Sequence, residues 1–91
     1  MEHLMRLNSD PFERIKLGIK KTEVRVNDEK RMRVKVEDEI IFSKRPEEKE
    51  KIKVRVISKK EVKEYPGMNK LYGKEEIDKY GFVIFDIELL D

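Results

Sequence analysis

At 91 residues the chain makes one domain, residues 1–91, whose fold buries only about 60–65% of the surface exposed by the unfolded form, so a large active-site cavity is not expected. Charged residues are 46% of the sequence, and 22 Lys+Arg nearly balance 20 Asp+Glu; the net charge of +2 argues against a polycationic tail and resembles the Lys/Glu-rich surfaces of proteins from hot habitats. The absence of cysteine excludes disulfides, thiolate nucleophiles and zinc knuckles, and with His3 as the single histidine neither a metal cluster nor a cofactor is expected.

The opening MEHLMRLNSD lacks the apolar core of a signal peptide, and no later run approaches the roughly 20 apolar residues of a membrane span. A soluble, cytoplasmic protein with no membrane partner is expected, taken as a monomer. HLMRL alternates loosely, as a short strand would, and leaves His3 as an exposed strand residue. NSDPFERIKLG then carries helix signals. Asp10 is placed as N-cap, Pro11 at the first helical position, Glu13 at the third as in a capping box, and Gly18 as the left-handed stop. Phe12 and Ile15 face the core, with Leu17 or Ile19 completing the contact.

TEVRV has Thr22, Val24 and Val26 on one face and Glu23 and Arg25 on the other, the period of a half-buried strand with the valines inward. Asn27 and Asp28 mark a turn. Met32, Val34 and Val36 alternate as a further strand that would put Arg31, Arg33 and Lys35 together on one basic face. After a turn at Glu37 and Asp38, the run Ile40, Ile41 and Phe42 forms the next strand, and Ile52, Val54 and Val56 alternate in another. EYPG is a turn, 74–79 a short helix, and GFVIFDIELL a strand central to the sheet because it is apolar nearly throughout. Five or six short strands and one or two short helices, without a βαβ rhythm, predict an α+β fold built on a small, mostly antiparallel β-barrel.

Three segments, PFERIKLGIKKTEVRVND, RMRVKVEDEIIF and KYGFVIFDIELL, together resemble the ASCH domain, a member of the PUA-like superfamily. The G-x-K-x-x-E-x-R signature of that family falls on Gly18, Lys20, Glu23 and Arg25, its V-x-D-x-I-x-F strand on Val36, Asp38, Ile40 and Phe42, and its YG pair on Tyr80 and Gly81. The resemblance implies a small barrel with a cleft beside the helix and the signature, binding RNA or a modified nucleoside. It also implies an alternative, since one ASCH-like branch hydrolyses N4-acetylcytidine and another member is linked to ribonuclease activity. In the amidohydrolase branch the position of Lys20 is a catalytic lysine, that of Glu23 is a threonine, and a second catalytic glutamate precedes the last strand. Here Glu23 stands in place of the hydroxyl, and none of Glu64, Glu75 and Glu76 aligns to the second acid.

The chemistry of the residues bears on the same choice. A lysine acting as base near neutral pH needs burial or neighbouring cations; Lys21 and Arg25 supply the latter, whereas Glu23 stabilises the ammonium. A Lys–Glu–Arg cluster suits ligand binding: Glu23 can accept from a base amino group, and Lys20 or Arg25 can meet a phosphate. The binding reading therefore uses Lys20, Lys21, Glu23, Arg25 and a Tyr65 ring over a base, with Arg31, Arg33 and Lys35 on the nucleic-acid backbone. The hydrolytic reading uses Lys20 and Glu23 as catalytic pair. Against both stand plainer readings: a solvated strand face for Glu23 and Arg25, a type II turn at Tyr65, packing for Tyr72 and Tyr80, and surface ion pairs for the basic strand.

Overall fold

A computed structural model describes residues 1–67 and 73–90. Tyr72 lies outside the described residues. The elements in chain order are β1 (Glu2–Leu7), α1 (Ser9–Lys16), β2 (Thr22–Val26), α2 (Glu29–Met32), β3 (Glu39–Lys44), β4 (Lys51–Val62), α3 (Lys74–Tyr80) and β5 (Phe82–Leu90). All five strands join one sheet in the order β1-β3-β4-β5-β2. Among the described residues only the β1–β3 pair is parallel. The sheet is thus mostly antiparallel, as predicted, and β5 lies inside it.

The sheet curls until its edge strands come within side-chain reach: the Arg25 guanidinium of β2 donates to the Arg6 carbonyl of β1 at 2.7 Å. No backbone ladder joins the two edges among the described residues, so the expected barrel is a half-barrel, and three short helices replace the expected one or two. Inside the curl, Met5 and Leu7 of β1, Ile40 and Phe42 of β3, and Val54 and Val56 of β4 meet Val83, Phe85 and Ile87 of β5 under Phe12 and Ile15 of α1. Burial of each such side chain contributes roughly 1.5–3 kcal/mol against its exposed state. The alternation read from β1 and the first half of β4 survives because each has one face on this core, and the apolar run of β3 likewise buries Ile40 and Phe42 on that face.

α1 begins two residues earlier than predicted. Asn8 is the N-cap residue, without a side-chain cap, and Asp10 sits in the first turn where its charge meets the helix dipole. The C-terminal end follows the prediction: Ile19 N–H donates to the Arg14 carbonyl at 2.9 Å and Gly18 N–H to the Ile15 carbonyl at 3.0 Å, a Schellman closure. Leu17 and Ile19 do not complete the core; they are 70% and 64% exposed, because that closure turns both away from the sheet.

The strand predicted through Met32, Val34 and Val36 is not formed. Asp28 caps a helix instead, its carboxylate accepting from Arg31 N–H at 3.0 Å and from the Arg31 guanidinium at 3.1 Å. Of the three apolar residues Val34 alone is buried. Arg31, Arg33 and Lys35 accordingly occupy a helix, its C-cap and a turn, and share no strand face.

β4 changes phase at a bulge between Val56 and Ser58. Before it even-numbered residues face the core; after it Lys59 pairs with Phe85 and Glu61 with Val83, so odd-numbered ones do. His3 is also corrected: it is only 9% exposed, and its Nε2 lies 2.9 Å from Asp38 Oδ2. Asp38 holds the turn before β3, accepting from Lys35 N–H at 3.0 Å.

Two outcomes are expected. The His3 contact first, and the Lys35 N–H second, lower the Asp38 pKa from 3.8 to about 2. A carboxylate with a depressed folded-state pKa stabilises the fold above its unfolded value and loses that contribution as pH falls through the folded value. Denaturation midpoints will therefore drop between pH 3.8 and about 2, and Asp38→Asn will flatten that limb. Separately, Gly81 holds φ 67°, and a Cβ there would lie 2.7 Å from the Val62 carbonyl oxygen. Gly81→Ala should cost about 1–3 kcal/mol in urea denaturation; unchanged stability would show that the β4–β5 end yields freely.

Candidate functional site

β2 takes its facing from β5. Glu23 pairs with Phe85 and Arg25 with Val83, whereas Thr22, Val24 and Val26 pair with Asp86, Ile84 and Phe82. Directly paired residues share a sheet face, so Glu23 and Arg25 point into the curl and the valines point away. This reverses the facing predicted from the strand's own alternation. Val26 is still buried, together with Phe82, on the outer face where α3 packs on β2.

A carboxylate on the inner face has to be met by charge or donors. Glu23 is 5% exposed. Its Oε2 accepts from Arg25 Nε at 2.7 Å and its Oε1 lies 3.6 Å from Lys20 Nζ. Lys20 also donates to the Thr22 carbonyl, while Arg25 spends Nη2 on Arg6. Lys20, Glu23 and Arg25 thus form one chain of contacts. No other carboxylate lies within ion-pair distance of Lys20 among the described residues.

The predicted ligand residues nevertheless divide between two hollows. Lys20 and Lys21 line one of about 320 Å³ with Ile57, Ile87 and Leu89. Arg25 opens on the other side, into a cleft of about 570 Å³. Tyr65 lines neither hollow; it precedes the turn at Pro66 and Gly67, where the glycine holds the φ of 87° that a type II turn requires. Arg33 and Lys35 are exposed outside both.

The second cleft is the more strongly charged. Arg6, Arg25, Lys30, Arg31, Arg45 and Lys51 line it, against Glu48 as the one carboxylate among the described residues. Arg25 and Arg31 are the most enclosed, with side chains 14% and 18% exposed. Arg31 Nε is buried without a partner. Burial, then the Arg31 guanidinium, with Arg25 and Arg6 beyond, lowers the Lys30 pKa, while Asp28 opposes the shift. Lys30, Arg45 and Lys51 have no ion-pair partner among the described residues. On the neighbouring face, by contrast, Lys53 lies 2.8 Å from Glu2 and 3.5 Å from Glu39.

A larger hollow of about 870 Å³ beside α3 mixes Glu61, Glu64 and Asp78 with Lys63, Lys74 and Lys79. Its opposed charges offer no consistent field to an anion. Glu64 faces this hollow, and Glu75 and Glu76 are exposed on α3. The described residues contain no cluster of three His, Asp or Glu able to hold a metal ion, and no helix long and apolar enough to cross a membrane.

A family model of the ASCH domain matches residues 5–91, essentially the whole chain. The chain belongs to the ASCH domain family. It is similar to the crystal structure of hypothetical protein PH0355, with a TM-score of 0.82 and 29% identity, covering 99% of this chain and 100% of that one. It is also similar to the solution NMR structure of protein PF0455 from Pyrococcus furiosus, with a TM-score of 0.69 and 31% identity over 100% and 99% of the two chains. No curated protein matches.

In this ASCH domain the signature Lys20–Glu23–Arg25 is a connected structural unit, but most of the cations around Arg25 were missed by sequence reasoning. Arg6, Lys30, Arg45 and Lys51 come from four separate places in the chain and converge only through the curl of the sheet. No spacing signal links them. Glu23→Ala should remove both ion pairs and cost about 1.5–3 kcal/mol, the range for hydrogen bonds to charged groups. Chemical denaturation checks this, with Val24→Ala on the outer face of the same strand as comparison. Loss below about 1 kcal/mol, the upper range for a surface pair, would return Glu23 to a solvated role.

Proposed function

We propose that this ASCH domain is an RNA-binding module in which the basic cleft takes phosphate and the signature positions the groups around it. The observation that carries the reading is the convergence of six cations on one cleft in a chain whose net charge is only +2. Phosphate contacts of this kind supply the salt-dependent part of nucleic-acid affinity. Arginine is the side chain best matched to phosphate, because its planar fork donates two parallel hydrogen bonds.

Glu23 acts here by position. Both its oxygens are engaged, and it orients Arg25 into the cleft and Lys20 toward the neighbouring hollow. That second hollow is apolar on one wall and carries Lys20 and Lys21 on its rim, an arrangement suited to a base or a modified nucleoside. Hydrolysis is the less favoured reading: the Lys20 ammonium is held by Glu23 and the Thr22 carbonyl, not presented as a free amine.

Fluorescence anisotropy with a labelled single-stranded RNA, run between 50 and 200 mM salt, tests the proposal. Three or four phosphate contacts give a slope of about −2 to −3 in log K against log salt for a single strand. Arg45→Ala with Lys51→Ala should lower that slope by about 1.4, at roughly 0.7 per lost contact. RNA binding that ignores both substitutions would overturn the cleft as the site. Incubation with N4-acetylcytidine on the same sample gives the other decision, since release of cytidine abolished by Glu23→Ala would make the protein a hydrolase.

A further inference from the structure

We infer that the basic cleft recognises a terminal phosphate monoester, the phosphorylated end of an RNA strand, in preference to phosphodiesters within a strand; this rests on the RNA-binding reading above. The size and arrangement of the charge lead there. A tracking groove spreads its cations along the path of a backbone. Here six cations surround a single cleft of about 570 Å³, within the roughly 300–1,000 Å³ that encloses one small ligand. A ligand of that size with matching charge is one nucleotide with its phosphate.

Charge selects the monoester. A phosphodiester carries one negative charge, whereas a phosphate monoester carries about −1.5 to −2 at pH 7 and offers three acceptor oxygens. The added charge is worth most where cations are enclosed, and the two best enclosed are guanidiniums. Arg25 is fixed at two points, through Nε to Glu23 and through Nη2 to the Arg6 carbonyl, which leaves Nη1 uncommitted among the hydrogen bonds of the described residues. Arg31 is held at one end by Asp28, at 3.1 Å, and keeps a buried Nε without a partner. Both forks are therefore oriented before a ligand arrives, which lowers the ordering cost of binding. Lys30, Arg45 and Lys51, without ion-pair partners, add charge around the cleft.

The arginine that closes the gap between β1 and β2 also lines the cleft. Its position depends on Glu23, so the signature and the phosphate site are coupled although Lys20 and Arg25 open into different hollows.

The test uses three single-stranded RNA octamers of one sequence, carrying a 5′-phosphate, a 3′-phosphate or neither, measured by anisotropy against the full chain. One phosphorylated octamer should bind at least about tenfold tighter than the unmodified one, and the preference should shrink below about pH 6 as the monoester dianion takes up one proton and becomes a monoanion. Inorganic phosphate should compete with it at lower concentration than chloride does. Arg31→Gln should remove the preference, so that the variant binds the phosphorylated and unmodified octamers with equal affinity. Because Arg31 also pairs with Asp28, Lys51→Gln on the cleft wall serves as a second variant and should reduce the preference partially. Equal binding of all three octamers would overturn the inference and leave RNA binding standing; failure of all three to bind would overturn both.

Discussion

Putting a carboxylate on the inner face of a small curled sheet costs more than the surface alternative unless cations are brought to it, and much of the arrangement around β2 follows from meeting that cost at Glu23. Lys20 reaches it from the residues after α1, and Arg25 reaches it from two positions along the same strand. Arg25 then extends to Arg6, so the charge pair also spans the gap between the sheet edges. The side-chain contact stands where a closed barrel would have a backbone ladder. A half-barrel closed in this way keeps polar groups at its seam, and the cleft lies at that seam.

Charge balance over the whole chain conceals this asymmetry. With 22 basic and 20 acidic residues the protein has little net field, and the β1–β3–β4 surface uses its charges in close pairs such as Lys53 with Glu2. The cleft departs from that pattern because β1, α2 and the β3–β4 connection each direct basic side chains to one place, while Glu48 is the single acid lining it among the described residues. The work of holding cations near one another falls on the ion pairs of Arg25 and Arg31 with Glu23 and Asp28. Those contacts are structural in kind and prepare a surface for an anion.

Much of the fold was legible because its strands have one apolar face each. TEVRV, the Ile52–Val54–Val56 alternation and GFVIFDIELL all became strands, and the Schellman end of α1 lay at Gly18 as read. Illegible stretches had a physical competitor. Met32, Val34 and Val36 satisfy a strand pattern, but Asp28 as a cap makes the first turn of a helix locally cheaper, and Val34 reaches the core from the following turn. His3 reads as exposed until the turn before β3 brings Asp38 against it.

The candidate site shows the same division. Local sequence determined that Lys20, Glu23 and Arg25 would be neighbours, because strand geometry places i and i+2 on one face and the helix end delivers Lys20 beside them. It also determined the core contributions of the first half of β4, through apolar periodicity, and of β5, through its continuous apolar run. Which face of β2 looks inward was decided by its register with β5, and which cations share the cleft was decided by the curl of the sheet, since Arg6, Lys30, Arg45 and Lys51 have no relation in sequence. Periodicity reports the contacts a strand makes within itself; facing and convergence depend on partners distant in the chain, so only the tertiary structure settles them.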